Sequence, residues 1–331
     1  MSALYSFFAI LVLGLMAYFG VAVWGLQKVF GIAIPYTAFG LFALGIVYRV
    51  LKWGRSPVPF AIATTCGQQK SLPWVKASYL ENPHSTLGVL GRMALEVLVF
   101  RSLFRNTRVE LKGGPRLIYG GNKYLWLGAM AFHWTFLIIL LRHFRFFTQP
   151  VPFFVRLLQN LDGFFQVGVP IFYLSSLIIL AALGYLFLRR FLDPKVRYIS
   201  LATDYFALLL ILSVAASGVI MRHFTKVDIV KVKELAMGLV SLHPAIPEGG
   251  IGLAFYIHLF FVCILLAYFP FSKLVHMGGI FLSPTRNLRA DSRRRRHVNP
   301  WNPPVEVHTY EEWEDDFRDK MKAAGLPLDR E

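Results

Sequence analysis

Six long apolar runs leave this chain few ways to fold. They lie at about residues 3–26, 35–53, 124–147, 168–189, 200–222 and 250–280. Each reaches the roughly 20 residues that a helix needs to cross hydrocarbon. The chain of 331 residues is 56% hydrophobic and only 16% charged, yet its formal net charge is +16. That charge sits in the breaks between apolar runs. This is the pattern of membrane topology and phospholipid neighbours, not of nucleic-acid binding. No zinc-finger spacing, Walker loop or helix-opening GxGxxG is present. Cys66 and Cys263 are too few for a disulfide framework or for an iron–sulfur cluster held by this chain alone. The first run begins almost at Met1 without a small-residue cleavage site, so it is read as a retained span.

Orientation follows from lysine and arginine. With Met1 in the cytoplasm and six alternating helices, residues 49–123, 189–197 and 273–331 are inner segments, and hold twelve, four and eleven of the 35 basic residues. The outer segments hold one, three and four. This asymmetry predicts a multi-pass protein of the cytoplasmic membrane with both termini inside.

Four regions result. Residues 1–53 are two N-terminal spans. Residues 54–123 are a basic cytoplasmic loop, in which 87–105 (LGVLGRMALEVLVFRSLFR) are interrupted by Arg92, Glu96 and Arg101 and suit an interfacial amphipathic helix. Residues 124–282 are a four-helix core. Residues 283–331 are a cytoplasmic tail, in which the block Arg293–Arg296 reads as an anchor facing anionic lipid. The acidic EEWEDDFRDKM behind it offers Trp313 and Phe317, four apart, as a partner contact.

Four histidines carry the chemistry. His133 and His143 are ten apart in one run, and His258 and His276 are eighteen apart in another. Ionisable, metal-binding side chains within hydrocarbon are costly and mark functional sites. The two helices run antiparallel, so His133 meets His276 towards the inner side and His143 meets His258 towards the outer side. Ten residues separate levels by about 15 Å and eighteen by about 27 Å along a helix, so the pairs need tilt or bending. On one continuous helix, eighteen residues make five turns and put His258 and His276 on one face. Two imidazoles per iron give two bis-histidine haem sites, closed at both axial positions and suited to electron transfer. No CxxCH is present, so attachment is non-covalent. Gly128, Ala129, Ala131, Gly278 and Gly279 offer room for a flat macrocycle, and serve ordinary helix packing equally well.

The spacings His-x9-His and His-x17-His resemble the dihaem cytochrome b subunits of respiratory nitrate reductases, the NarI family, over about residues 90–282. The whole chain resembles more closely the DsrM subunits of the DsrMKJOP complexes of sulfur metabolism. That likeness rests on the two extra N-terminal spans, TTCGQQKSLPW (64–74), HPAIPEGG (243–250) and the tail at 299–328. The resemblance implies a NarI-like dihaem four-helix core plus two N-terminal spans, all-α and embedded in the membrane. It implies two haems b, exchange of electrons with a quinone, menaquinone above all, and a DsrK-like cytoplasmic iron–sulfur subunit among other Dsr partners. It assigns His133 and His276 to the haem on the partner side, and His143 and His258 to the haem on the quinol side.

Quinol oxidation needs a proton acceptor and polar groups near the outer haem. Arg142, Arg145, Gln166 and His223 are at the right depth, with Arg142 and Arg145 also candidates for haem propionates. The residues alone leave two other classes open. One is a transporter or proton channel using its histidines as relays, which would have no chromophore. The other is a scaffold that only anchors a soluble partner.

Overall fold

The computed structural model of the chain describes residues 2–58, 61–62, 64, 67–165, 170–295 and 304–330, the side chains of Arg108 and Lys112 apart. Among them six helices are long and apolar enough to span a membrane: Ser2–Val23, Val29–Gly54, Lys123–Phe146, Leu174–Leu192, Ala202–His223 and Leu253–Phe271. The protein is an all-α integral membrane protein of six spans, with one small β-hairpin outside them. Gln166, Cys66, Arg296 and His297 lie outside the described residues.

The first span is α1 (Ser2–Tyr18), extended by a π-helical turn to Val23. The second opens with a π-helical turn at Val29–Ala33 and continues as α2 (Ile34–Gly54). Next come α3 (Thr86–Val99), α4 (Arg101–Arg105) and the hairpin strands β1 (Thr107–Lys112) and β2 (Arg116–Gly121). The third span is built on α5 (Lys123–His143), followed by the short α6 (Phe153–Asp162). Then follow α7 (Leu174–Leu192), α8 (Pro194–Ile199), α9 (Ala202–His223), α10 (Ile229–Val240) and α11 (Leu253–Tyr268). The chain closes with α12 (His276–Leu282), α13 (Pro284–Asn287) and α14 (Tyr310–Ala323).

In the bundle α5 lies against α7, α7 against α9 and α9 against α11. Helix α1 packs on α9 and α11, and α2 packs on α11. Leu4, Phe7, Phe8, Phe39 and Leu44 point outward, as a lipid-facing surface requires. Two faces of the bundle are defined by cross-links between turns. The face that carries the start of α1 is called here the terminal face. Ser6 Oγ donates to Ala202 O over 2.7 Å, and Lys273 pairs with Asp204 at 2.8 Å on this face. On the far face Tyr36 donates to Leu239 O over 3.0 Å.

The last apolar run differs from expectation. It is not one helix over 250–280. Helix α11 stops at Tyr268, a 3-10 turn covers Phe269–Phe271, and Ser272 is extended at ψ 177°. The cause is Pro270, which lacks an N–H and cannot continue the ladder. The carbonyl at the break is taken up by α2: Arg49 Nε donates to Pro270 O over 2.9 Å. Gly45 lets the helices close, since a Cβ there would sit 2.7 Å from Pro270. His258 and His276 therefore lie on different helices, and the single-face argument for them fails.

Helix α3 is inverted relative to an ordinary surface helix. Its Arg92 and Glu96 are buried while Leu87 is 82% exposed. The polar side faces protein. Arg92 donates to Glu81 O, and Arg101 and Arg105 both pair with Glu81. Glu96 accepts from Ser102, and pairs with Arg286 of α13 at 2.9 Å. Burial, with Arg286 close by, holds the Arg92 guanidinium below its ordinary value. A backbone bond from Ala290 N to Pro83 O, 2.7 Å, completes the seam between loop and tail. The hairpin follows directly, with Lys112 opposite Arg116 and Gly113 and Gly114 at φ 59° and 104° in its turn. Sequence reasoning had no strand here.

Glu96→Ala is expected to free the 283–295 segment, because it strands a largely buried Arg286. Breaking such a pair costs about 3 kcal/mol. Limited proteolysis of the purified protein should show faster cleavage in that segment, with the spans unaffected.

Candidate functional site

Each of the four histidines is held by one ring nitrogen. His133 Nδ1 lies 2.8 Å from Ala129 O, His143 Nδ1 2.7 Å from Ile139 O and His276 Nδ1 2.7 Å from Lys273 O. A carbonyl only accepts, so each of these nitrogens carries the proton. His258 Nδ1 lies 3.0 Å from Ser217 Oγ, whose own hydroxyl donates to Val214 O over 3.1 Å. A serine hydroxyl donates and accepts, so this contact is made in either tautomer of the His258 ring. The Nε2 atoms of His133, His143 and His276 are left with a lone pair. This is how metal-ligating imidazoles are usually oriented, with the other nitrogen fixed by an outer acceptor.

One pair of rings meets directly. His133 and His276 have centroids 6.1 Å apart with planes at 88°. Imidazoles on opposite sides of one metal ion, each bonded at about 2 Å, put their centroids about 6 Å apart. The separation therefore fits a single ion between them. His143 lies within electrostatic reach of His258 on the far side. No group of three or more His, Cys, Asp or Glu with metal-holding geometry occurs among the described residues. The donor set is thus bis-imidazole, which suits haem iron and does not suit tetrahedral zinc.

The supporting elements explain the positions. The α3–α4 corner turns at Phe100, φ 48°, and its ring packs edge-on to His133 at 4.9 Å. Trp134 and Trp126 of α5 donate to Leu98 O and Val99 O at 3.1 and 2.7 Å, fixing that corner to the helix that carries His133. His276 opens α12 just beyond the Pro270 break, and Lys273 beside it is tied to Asp204 of α9. On α9, a Cβ at Gly218 would lie 3.2 Å from His258 Cε1. Ser217 and Gly218 together make the cradle for this ring.

The remaining candidates separate. Arg142 is engaged: it pairs with Asp162, donates to Ser175 Oγ over 3.1 Å and lies 3.3 Å above the Tyr173 ring. Arg145 lies 5.7 Å from the Phe146 ring and has no carboxylate partner among the described residues. His223 stacks on Phe172 at 4.9 Å with its Nε2 buried and unpaired. Gly128 serves helix packing, since a Cβ there would lie 2.6 Å from Tyr185, whereas Gly278 and Gly279 face Trp53 at ordinary contact distance. Sequence reasoning missed Ser217, Gly218 and the Asp162–Ser175–Tyr173 set around Arg142. Only the Ser-Gly pair within a span was visible as a signal.

Comparison with known proteins places the chain in a family. The family model described as nitrate reductase gamma subunit matches residues 92–291, which include all four histidines. The Hdr-like menaquinol oxidoreductase cytochrome b-like subunit of Archaeoglobus fulgidus is 45% identical over 276 residues, covering 82% of each chain. The subunit of the same name from Archaeoglobus profundus is 42% identical over 280 residues, covering 83% of each. The chain belongs to the nitrate reductase gamma subunit family and is a membrane cytochrome b-like subunit.

Proposed function

We propose that this protein holds two b-type haems and exchanges electrons between a quinone pool and an iron–sulfur partner on the terminal face. The observation that carries this reading is the His133–His276 pair, two imidazoles at the separation of ligands to one ion, each with Nδ1 committed to a backbone carbonyl. His133 and His276 hold the haem of the terminal face, and His143 and His258 hold that of the far face. A bis-imidazole haem supplies a one-electron couple with both axial positions closed, which favours electron transfer over oxygen activation. The chain's own residues set the ring orientations and balance charge. Arg145, free of carboxylates among the described residues, is the partner proposed for a haem propionate. Arg142 holds Asp162 and braces the turn before α7.

The relatives' name includes menaquinol and an Hdr-like assembly, which supports menaquinol as the quinone and a heterodisulfide-reductase-like, DsrK-like partner. The resemblance of the whole sequence to DsrM subunits supports a role in sulfur metabolism beside other Dsr subunits. The distribution of lysine and arginine supports the cytoplasmic membrane with the terminal face inside. Loop 54–123 and tail 283–331 then share the cytoplasmic side with the inner haem, where a soluble electron carrier docks. On α14, Trp313 and Phe317 stack at 5.4 Å and stay 42% and 38% exposed, a surface suited to that contact.

The purified chain is expected to show a six-coordinate, low-spin b-type spectrum, with close to two haems per polypeptide by pyridine haemochrome and full extraction by acid acetone. One haem or none in a folded, fully loaded preparation overturns the two-site reading, and a colourless protein favours a histidine-relay transporter.

Removing residues 299–331 should leave both haems in place, since no ligand lies there. It should weaken association with the iron–sulfur partner and slow electron flow to it, while direct reduction of the haems by quinol persists. A truncated chain with full partner binding rules out docking by the tail.

A further inference from the structure

We infer that α6 is an in-plane helix seated in the far-face leaflet of the bilayer, with one apolar sector among phospholipid acyl chains. At about 100° per residue, the ten residues of α6 divide into three sectors. Phe153, Phe154, Leu157 and Leu161 fall within about 100° of arc. All four are exposed, Phe153 and Leu161 most, at 72% and 62%. Val155 and Asp162 mark the sector that faces protein. Val155 is fully buried, and Asp162 pairs with Arg142 of α5 and accepts from Ser175 N of α7 over 2.7 Å. Arg156 and Asn160 form the third sector, exposed and polar.

The protein-facing sector is tied to two spans, so α6 cannot roll its apolar sector inward. A helix with an apolar arc and a separate polar arc suits the boundary between headgroups and acyl chains. The neighbouring residues point to lipid as the occupant. Phe144 and Phe147 at the end of the third span, and Phe164 and Phe165 just past α6, are exposed too. Leu174 and Leu177, where the fourth span begins, continue the series. The lipid-facing surface of two spans is therefore continued by the segment that joins them. A connector standing in water would turn polar groups outward at these positions. On the polar sector, the Arg156 guanidinium suits lipid phosphate. Lying flat, α6 keeps Phe153 and Leu161, about 12 Å apart along the axis, at one depth. Its joint to Arg142 is then held at the leaflet boundary, next to His143 in the chain. The seat does not depend on a haem or a quinone.

The test uses the full chain with Cys66→Ser, in which the remaining Cys263 is buried. Phe153→Cys, Leu157→Cys, Leu161→Cys and Asn160→Cys are each labelled with bimane and reconstituted in phosphatidylcholine vesicles. Quenching is read with lipids brominated at different acyl depths, and with iodide on both sides of the membrane. Bromolipid should quench the labels at 153, 157 and 161 at one common depth, with little effect of iodide. The label at 160 should show the reverse. Elution of each variant as the parent checks folding, and Leu157→Cys or Leu161→Cys decides the seat by itself. Iodide quenching at all four positions overturns it. Shielding of 153, 157 and 161 from both quenchers also overturns it, and puts a second copy or another protein there. A step in depth between 153 and 161 overturns the in-plane orientation.

Discussion

Hydrogen bonds at the Nδ1 of four histidines govern the rest of this structure. An imidazole in an apolar bundle is tolerated when its proton is satisfied, and fixing that proton also fixes the lone pair on the other nitrogen. In three cases the acceptor is a backbone carbonyl three or four residues earlier, so the helix that carries the ring also orients it. His258 is different. Its partner is Ser217 on the neighbouring helix, so packing of α9 on α11 is needed to aim it.

The break at Pro270 solves the problem of matching two unequal spacings. Ten residues on α5 cannot align with eighteen on a straight helix. Ending α11 early and restarting the chain at His276 brings that ring to His133. The cost of an interrupted helix is offset from outside the core. Arg49 of α2 takes the free carbonyl, and Gly45 permits the close approach. The second N-terminal span is thus a structural partner of the segment that carries the terminal-side histidine.

What was legible in the sequence is what one-dimensional pattern encodes. Six spans follow from run length, and four histidines stand out because their surroundings are apolar. The helix break was hidden because FPFSKLV reads as more hydrocarbon unless Pro270 is given its full weight. The hairpin had a signal, Gly113-Gly114 between two alternating segments, that the surrounding basic loop obscured. Other features had none. Glu96 finds Arg286 across 190 positions, and Ser217 finds His258 across 41. Such pairs depend on helix packing, which periodicity does not encode. Arg92 and Glu96 looked like the wet face of an interfacial helix, and are instead its buried side.

The proposed function turns on which histidines pair. Redox-resolved difference spectra of the four single His→Ala variants test this directly. His133→Ala and His276→Ala should remove or convert the same spectral component, and His143→Ala and His258→Ala the other, each sparing its counterpart. Loss of one common component in His133→Ala and His258→Ala would contradict it.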